Sequence, residues 1–202
     1  MSNRREHELF QQARAGTRAA FDRLQEALET PVRRFVRRLV GVSNEEDDIV
    51  QDAFLALYMN LERLDSSEHL RPFLFRVVRN LCYDELRRKG RFQVVSLDET
   101  PDDSDSVLSF LTDGRLQPDE EVHWMLLYSE VQKAMERLPE LQRQTMILYC
   151  EEDLSYAQIA EAMATDIGTI KSRIYYGRKN LRKLLKPEIL EALGIEKDSL
   201  KA

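Results

Sequence analysis

The sequence predicts an all-α fold of two small helical domains joined by an acidic flexible linker. Its 202 residues include seven glycines and six prolines, and they show no clear alternation of polar and apolar residues that would indicate strands. Apolar residues recur instead at three- and four-residue spacings, as in amphipathic helices. A hydrophobic content of 43% is enough to bury two modest cores.

The domain boundary is visible in the charge pattern of residues 92–122. This segment carries nine acids against the single base Arg115, includes two prolines and has little helical periodicity. We therefore expect a solvated linker there. The first domain then spans residues 1–91, the second spans residues 123–186, and residues 187–202 form a C-terminal tail with one further short helix.

The first predicted helix spans residues 21–40 and has two unlike sides. Its apolar residues follow helical spacing and indicate a buried side. The other side is cationic and consists of Arg33, Arg34, Arg37 and Arg38. Because proline lacks an amide proton and clashes with the preceding turn, Pro31 predicts a kink or a break near Thr30.

An acidic helix comes next, with Asn44 or Ser43 as its expected cap. Its first turn holds four acids, where the helix dipole favours anions: Glu45, Glu46, Asp47 and Asp48. Spacings of four and three predict a core stripe of Val50, Phe54, Leu57, Leu61 and Leu64. Four residues lie off this stripe and can form a surface for a protein partner: Asp48, Gln51, Asp52 and Leu55. The helix dipole explains the first acids but not Asp52.

A second basic helix is predicted from PFLFRVVRNLCYDELRRKGR, residues 72–91. Its expected core side consists of Leu74, Val77, Val78 and Leu81. The opposite side is predicted to carry cationic, amide and phenol groups at spacings of four, three and four, namely Arg76, Asn80, Tyr83 and Arg87, with Arg79 and Arg88 as further candidate contacts. Such groups suit a single-stranded nucleic acid, which needs charge for its backbone, hydrogen bonds for base edges and a ring for stacking. An ordinary amphipathic helix with a solvated face explains this segment equally well.

The second domain is predicted to contain helices over residues 124–137 and 139–150, followed by a helix-turn-helix over residues 154–185. Ser155 is the expected cap of the first helix of this motif. Asp166 and Gly168 suit a tight turn, and Thr169 can cap the second helix. We therefore expect the second helix to begin near Gly168 or Thr169.

The second helix of this motif is cationic and has no acid between Ile167 and Pro187. In a chain with a net charge of -6, this sign reversal predicts an anionic partner, and DNA is the obvious one. Residues in the N-terminal half are expected to reach base edges: Thr169, Lys171, Ser172, Tyr175 and Tyr176. Later residues are expected to contact phosphates: Arg178, Lys179 and Arg182. Complementation of the helix dipole is the alternative, but it does not explain Lys171 and Arg173.

Motifs for independent chemistry are missing from the sequence. Cys82 and Cys150 are isolated in separate predicted helices, as expected for small buried residues, and the three histidines lack zinc-like spacing. There is no glycine-rich phosphate loop and no hydrolase or metalloprotease motif. We expect no catalytic residue, no metal and no cofactor. No apolar run has the length of a membrane span and no signal peptide is visible, so we expect a cytoplasmic protein.

Two motif blocks in this order resemble the extracytoplasmic-function (ECF) sigma factors of bacterial RNA polymerase, in the sigma-70 family. The first is EEDDIVQDAFLALY followed by RPFLFRVVRNLCYDELRRKGR, and the second is RLPELQRQTMILYCEEDLSYAQIAEAMATDIGTIKSRI. The resemblance covers about residues 20–186, or nearly the whole chain. It implies that the two helical domains are sigma domain two and the helix-turn-helix sigma domain four.

The resemblance implies a role for each surface. The acidic helix of the family docks on core RNA polymerase, which implicates Asp48, Gln51, Asp52 and Leu55. The next helix and the preceding loop, residues 65–71, capture the non-template strand of the minus-ten element. The GTIKSR segment begins the reader of minus-thirty-five duplex DNA and includes Lys171, Ser172 and Arg173. Family members are usually controlled by an anti-sigma factor, and their linker threads through the polymerase toward the RNA path.

Two other function classes compete with this interpretation. An autonomous helix-turn-helix regulator would bind duplex promoter DNA tightly without the polymerase. A nucleic-acid-processing enzyme would use Asp47, Asp48 and Asp52 to hold magnesium, although the helix dipole explains these acids more simply. Only a sigma factor requires both the chain and core polymerase for promoter-specific initiation.

Overall fold

The computed structural model describes residues 3–90 and 118–192. Nine helices lie in these residues: α1 (Asn3–Arg14), α2 (Arg18–Val40), α3 (Glu46–Asn60), α4 (Leu70–Arg88), α5 (Pro118–Glu136), α6 (Glu140–Cys150), α7 (Tyr156–Met163), α8 (Ile167–Leu184) and α9 (Pro187–Ala192). Short 3-10 turns at Leu61–Arg63 and Ser67–His69 separate α3 from α4. The described residues contain no strand, and the predicted all-α class is confirmed.

The described residues divide into two compact units. The first includes residues 3–90 together with residues 157–166, and the second includes residues 118–156 and 167–192. Residues 157–166 belong to the first unit through α7, because His69 Nδ1 lies 2.7 Å from Glu161 Oε2 and Gln158 Nε2 donates to the Glu68 carbonyl oxygen. Residues 92–117 of the predicted linker lie outside the described residues.

The core of the first unit forms around α2. Its buried residues recur at helical spacing: Ala20, Phe21, Leu24, Leu28, Val32, Phe35, Val36 and Leu39. The ring of Phe35 meets that of Phe75 from α4 edge-on, with 5.2 Å between centroids. The predicted stripe of α3 is also buried, including Leu61 and Leu64 beyond its end. These stripes assemble one shared core.

The helix α1 adds a layer that the sequence pattern did not predict. Phe10 is fully buried, and Leu9 and Ala13 are nearly so. The carboxylate of Glu6 lies on the same buried side and forms an ion pair with Arg71 near the start of α4. Because most of the twelve residues of this helix are polar or charged, its few apolar positions did not stand out as a periodic stripe.

Local details of α2 and α3 differ from the expectations. Of the two outcomes predicted near Thr30, the break is wrong, because α2 continues through Pro31 to Val40 with buried residues on both sides of the proline, and the kink stays a prediction. Neither Asn44 nor Ser43 caps α3 with its side chain. Glu45 occupies the cap position, and the Ser43 carbonyl oxygen accepts a hydrogen bond from the Glu46 amide.

The buried side of α4 is rotated relative to its predicted one. Leu74 and Val78 are fully buried as expected, whereas Val77 and Leu81 are only half-buried. Phe75, Cys82 and Tyr83 take the remaining core positions. The rotation follows from packing on two sides, against α2 and α3, which a single apolar stripe does not anticipate.

The second unit is held together by close packing of α8 on α6. The buried residues of α8 form one stripe, Ile170, Ile174, Gly177 and Leu181. A Cβ atom added at Gly177 would lie 2.7 Å from Cγ of Met146, a residue that is itself fully buried. Glycine is therefore required for this approach of the two helices. Asn180 Nδ2 donates to Gln142 Oε1 at 2.9 Å beside it.

The helix-turn-helix segment follows the prediction in outline and departs from it at the turn. The helix α7 begins directly after Ser155. The left-handed backbone of the turn belongs to Ala164, with φ of 50°, and not to Gly168. Gly168 and Thr169 instead lie in the first turn of α8, which begins at Ile167. The Ala164 conformation is stabilised because the next amide, of Thr165, donates to the Ala160 carbonyl oxygen.

The second unit contains more helix at its N-terminal end than the sequence predicts. The helix α5 begins at Pro118, so the last five residues assigned to the linker belong to a helix. Proline suits this first helical position because its missing amide proton is not needed there. At the other end, α9 (Pro187–Ala192) is the short tail helix that was predicted, and residues 193–202 lie outside the described residues.

We expect Gly177→Ala to destabilise the second unit by about 1–3 kcal/mol through overpacking against Met146. This loss should appear although alanine favours helix by ~1 kcal/mol over glycine. Urea unfolding followed by circular dichroism measures the change, with the exposed Gly168→Ala in the same helix as the control. In a Met146→Ala background the cost should shrink, and equal stabilisation by both glycine variants would contradict the close approach.

Candidate protein and nucleic-acid interfaces

An exposed strip runs along α3, and we call it the α3 surface. Its upper part is polar and contains Asp48, Gln51 and Asp52, all exposed. Its lower part is apolar and contains Leu55, Tyr58 and Met59, which are 57%, 56% and 71% exposed. The structure thus brings together the four predicted contact residues and adds Tyr58 and Met59. Three large apolar side chains exposed on one helical face are typical of a protein-binding surface.

An ion-pair cluster fixes the start of α3 against α2. The nearly buried carboxylate of Glu46 accepts from Arg37 Nε at 2.7 Å and from Arg33 Nη1 at 3.2 Å. Arg33 also contacts Glu29 at 2.8 Å and Asp47 at 2.5 Å. The hydrogen bond from Arg37 lowers the pKa of Glu46, while hydrogen bonds to Asp47 and then Glu29 raise the pKa of Arg33. Two of the predicted cationic residues of α2 are therefore structural.

A second ion pair ties the end of α4 to the same place. Lys89 Nζ lies 2.8 Å from Glu45 Oε2 and 3.0 Å from Glu85 Oε1. The hydrogen bond with Lys89 lowers the pKa of Glu45, and the same bond raises the pKa of Lys89. The acids of the first turn of α3 thus have different roles: Glu45 and Glu46 face other helices, and Asp48 faces outward.

The outer face of α4 contains most of the predicted minus-ten residues. Asn80, Arg87 and Arg88 are exposed, and Arg76 and Arg79 are half-exposed. Arg88 Nη2 is 2.5 Å from Glu85 Oε2. The guanidinium of Arg76 lies over the ring of the half-exposed Phe73, with 5.5 Å to the centroid. Phe73 was not among the predicted residues, although its spacing of three from Arg76 could have revealed the pair.

The expectation of an exposed ring at Tyr83 is wrong. Tyr83 is 7% exposed, and the guanidinium of Arg79 covers its ring at 4.7 Å from the centroid. Because the ring is buried and Arg79 lies over it, it is not presented for stacking. The half-exposed ring on this helix belongs to Phe73.

The loop between α3 and α4 is compact and attached to α1. Leu64 and Leu70 bury its two ends, and the residues between them are exposed or half-exposed. Ser66 accepts a hydrogen bond from the Glu68 amide and so caps the 3-10 turn. Arg71, assigned to this loop by sequence, lies in the first turn of α4 and forms an ion pair with Glu6 at 2.8 Å. We call residues 64–70 the 64–70 loop.

The outer face of α8 is polar and basic. On a helical wheel, Ser172 and Lys179 lie opposite the buried stripe, with Tyr175 and Tyr176 beside them. Both tyrosines are half-exposed, and their rings meet edge-on at 5.2 Å. Lys171 is exposed, and Thr169, Ser172, Arg173 and Lys179 are half-exposed. The N-terminal half of α8 thus presents Lys171 outward beside the half-exposed Ser172, Arg173 and two tyrosines, and the contacts of these residues with DNA stay a prediction.

Arg178 has a structural partner in α6. Its guanidinium lies 5.3 Å from the centroid of the Tyr149 ring, and Nη2 donates to Tyr149 Oη at 3.2 Å. The ring of Tyr149 in turn packs at 5.5 Å from that of Tyr156. Arg178 was predicted to contact phosphate, and any such contact must use the part of the guanidinium that Tyr149 leaves accessible.

Comparison with known families finds one match in each half of the chain, and the second match includes residues 157–166, which the geometry groups with the first unit. Residues 24–92 match Sigma-70 region 2, and residues 128–181 match Sigma-70, region 4. Together the two matches cover more than half of the 202 residues. The chain is 26% identical over 177 residues to the ECF RNA polymerase sigma factor SigW of Bacillus subtilis (strain 168), covering 88% of this chain and 95% of the relative. The chain belongs to the ECF branch of the sigma-70 family.

Solved structures agree with this sigma fold. The chain resembles RpoE of Bartonella quintana in complex with the anti-sigma factor NepR, with a TM-score of 0.58 and 25% identity over 83% of this chain and 98% of that one. It resembles CnrH in complex with the cytosolic domain of CnrY with a TM-score of 0.61 and 21% identity, covering 89% and 96% of the two chains. At 21% identity, the resemblance to CnrH shows a shared fold alone.

Two further properties of this sigma factor concern its cysteines and its helices. Both cysteines are buried, as predicted, and desolvation raises the pKa of the Cys150 thiol to about 12. A thiol with so high a pKa stays protonated and unreactive near neutral pH. Among the helices that the structure describes, none combines the length and the apolar character needed to cross a membrane.

We expect Glu46→Gln to lower the free energy of unfolding of this sigma factor by about 1–3 kcal/mol at neutral pH, since hydrogen bonds to two arginines lose their charged acceptor. Because the folded pKa of Glu46 is lowered, its contribution is complete above about pH 4.5 and is lost as pH falls through the folded value. The variant should therefore lose less stability than wild type on acidification.

Urea unfolding measured between about pH 3 and pH 7 tests this expectation. The control is Glu62→Gln, which removes an exposed carboxylate from the turn after α3 and should leave the wild-type pH profile intact. A Glu46→Gln profile that runs parallel to the wild-type profile at all pH values would show that the cluster does not depend on the charge of Glu46.

Proposed function

We propose that this sigma factor binds core RNA polymerase through the α3 surface and directs initiation at promoters that its two DNA-binding faces select. The observation that carries the proposal is the composition of the α3 surface, where exposed Asp48 and Asp52 adjoin the exposed side chains of Leu55 and Met59. The helix dipole explains Asp48 but not Asp52, and side chains as exposed as Leu55 and Met59 add little to the core. A cationic and partly apolar partner surface fits this combination.

Recognition of the minus-ten element is assigned to α4 and the 64–70 loop. The outer face of α4 offers the guanidinium groups of Arg76 and Arg87 for backbone phosphates and the amide of Asn80 for a base edge. The loop is proposed to receive a base extruded from the duplex. Extrusion costs a few kcal/mol of stacking, and contacts in the receiving pocket must offset this cost. Phe73, in place of Tyr83, is the ring that we assign to stacking.

Recognition of the minus-thirty-five duplex is assigned to the N-terminal half of α8. Thr169, Lys171 and Ser172 lie near the helix start, where residues of such motifs reach bases in the major groove. Arg173, Tyr175 and Tyr176 extend the same contact region, and Lys179 is assigned to phosphate. A chain of net charge -6 should bind DNA weakly by itself and with strong salt dependence.

The polymerase supplies all catalysis in this mechanism, so we assign no enzymatic activity to the chain. Because core polymerase is its docking partner, we also assign the protein to the cytoplasm. We propose an anti-sigma factor as its regulator, supported by the resemblance to RpoE in complex with NepR. Such a partner would act by covering the surfaces that the polymerase or promoter needs.

Reversing the charge of Asp48 and Asp52 with lysine should abolish association with core polymerase, because two attractive contacts become repulsive. Association is measured by co-purification with sigma-free core enzyme and by fluorescence anisotropy of labelled chain. The matched control reverses Asp22 and Glu26, two exposed acids with the same spacing of four on α2, and should bind like wild type. Unchanged binding of the Asp48 and Asp52 variant would refute the assigned surface.

Replacing Lys171 and Arg173 with alanine should reduce promoter-specific initiation at least about tenfold while core association stays intact, since each lost base contact is worth about 1–3 kcal/mol. Run-off transcription on templates with an intact or scrambled minus-thirty-five element measures the effect. Alanine at Lys133 and Arg137, exposed cations at and just beyond the end of α5, provides the control. Tight promoter binding by the isolated chain, unaided by polymerase, would favour the autonomous regulator instead.

A further inference from the structure

The 64–70 loop is attached to α1 at its start and in its middle, and so is the residue that follows it. At its start, Arg14 Nη1 donates to the Asp65 carbonyl oxygen at 3.3 Å. In its middle, Ser67 Oγ and His7 Nδ1 share a hydrogen bond of 2.7 Å. Just beyond its end, Arg71 is paired with Glu6. The helix therefore runs antiparallel to the loop and contacts it near both ends and in the middle.

The last of these contacts is the most directional. Arg71 Nε lies 3.0 Å and 3.1 Å from the two carboxylate oxygens of Glu6, and Nη2 lies 2.8 Å from Oε2. Glu6 is only 4% exposed. A forked guanidinium contact to a carboxylate fixes distance and orientation together, which an apolar contact does not.

Stability alone does not explain a buried ion pair at this place. Removing two charges from water is costly, and an apolar pair of similar volume is often at least as stable. Anchorage of α1 is already provided by Phe10, Leu9 and Ala13, which are buried on the same side. The polar contacts in addition fix the positions of the loop and of the first turn of α4.

From this geometry we infer that α1 is a positioning element for the 64–70 loop and that Glu6 is its main positioning residue, setting the loop conformation in which an extruded minus-ten base is received. The inference rests on the proposed function. A pocket for a flipped base requires its walls at defined distances, and small displacements of such groups lose most of their contribution. In this role α1 acts on the loop, and the ligand that the loop receives is a single-stranded purine or pyrimidine base.

Stabilisation of the domain and positioning of the loop are two effects of α1 that can be measured independently. If α1 only stabilises the domain, weakening its polar contacts lowers initiation equally on every promoter. If α1 positions the loop, the same change lowers discrimination between bases at one minus-ten position and leaves other positions alone. Core association should be unaffected in both cases, because the α3 surface is a different part of the domain.

The test uses full-length chain assembled with core polymerase and a promoter library with a randomised minus-ten element. Transcripts are sequenced, and base preference at each position is compared between wild type and Glu6→Gln. We expect preference at one position to fall about tenfold, equivalent to ~1.4 kcal/mol, with preference at the minus-thirty-five element unchanged. The control is Glu8→Gln on α1, whose carboxylate side chain is 59% exposed and pairs with Arg4 at 3.4 Å, and it should keep wild-type preference.

A second variant guards against simple unfolding of Glu6→Gln. Ser67→Ala removes the contact with His7 from a half-exposed position and leaves the core intact, so it should weaken preference at the same position to a smaller extent. A uniform loss of transcription by either folded variant, with base preferences retained, overturns the inference. Failure of the wild-type holoenzyme to initiate from any library member instead overturns the proposed function.

Discussion

Pairing of buried carboxylates with arginine is the constraint on which the first unit depends. Glu6 and Glu46 are 4% and 6% exposed, and a charge so far removed from water requires a partner. Arg71 supplies it for Glu6, while Arg37 and Arg33 supply it for Glu46. Each pair joins helices that are distinct in the sequence, so the position of α1 on the loop and of α3 on α2 becomes defined.

These pairs also divide the charged residues into two groups. Arginines of α2 that appear in the sequence as a solvated cationic side are used in part to neutralise the start of α3. Asp48 and Asp52 face outward instead and leave the α3 surface acidic, next to exposed apolar residues. The charged side chains that a partner protein can contact are therefore those that are not used in these internal ion pairs.

In the second unit, helix packing determines which charged residues face outward. Gly177 lets α8 approach Met146 of α6 closely, and the buried stripe of α8 then points its polar and basic residues outward. Arg178 and Asn180 face α6 instead, because the guanidinium of Arg178 packs on the ring of Tyr149 and Asn180 donates to Gln142. A cationic face can therefore be presented by a chain with a net charge of -6, since residues 167–187 contain no acid.

Periodicity within a single helix was sufficient to predict the all-α class, the buried stripe of α3 and the outward position of Asp48, Gln51, Asp52 and Leu55. It failed where burial depends on a second neighbour. Tyr83 is buried because α4 packs on two helices, and Glu6 contacts Arg71 across 65 residues of sequence. Helical spacing reports which residues share a face, but only tertiary packing decides which faces meet and which charges pair across them.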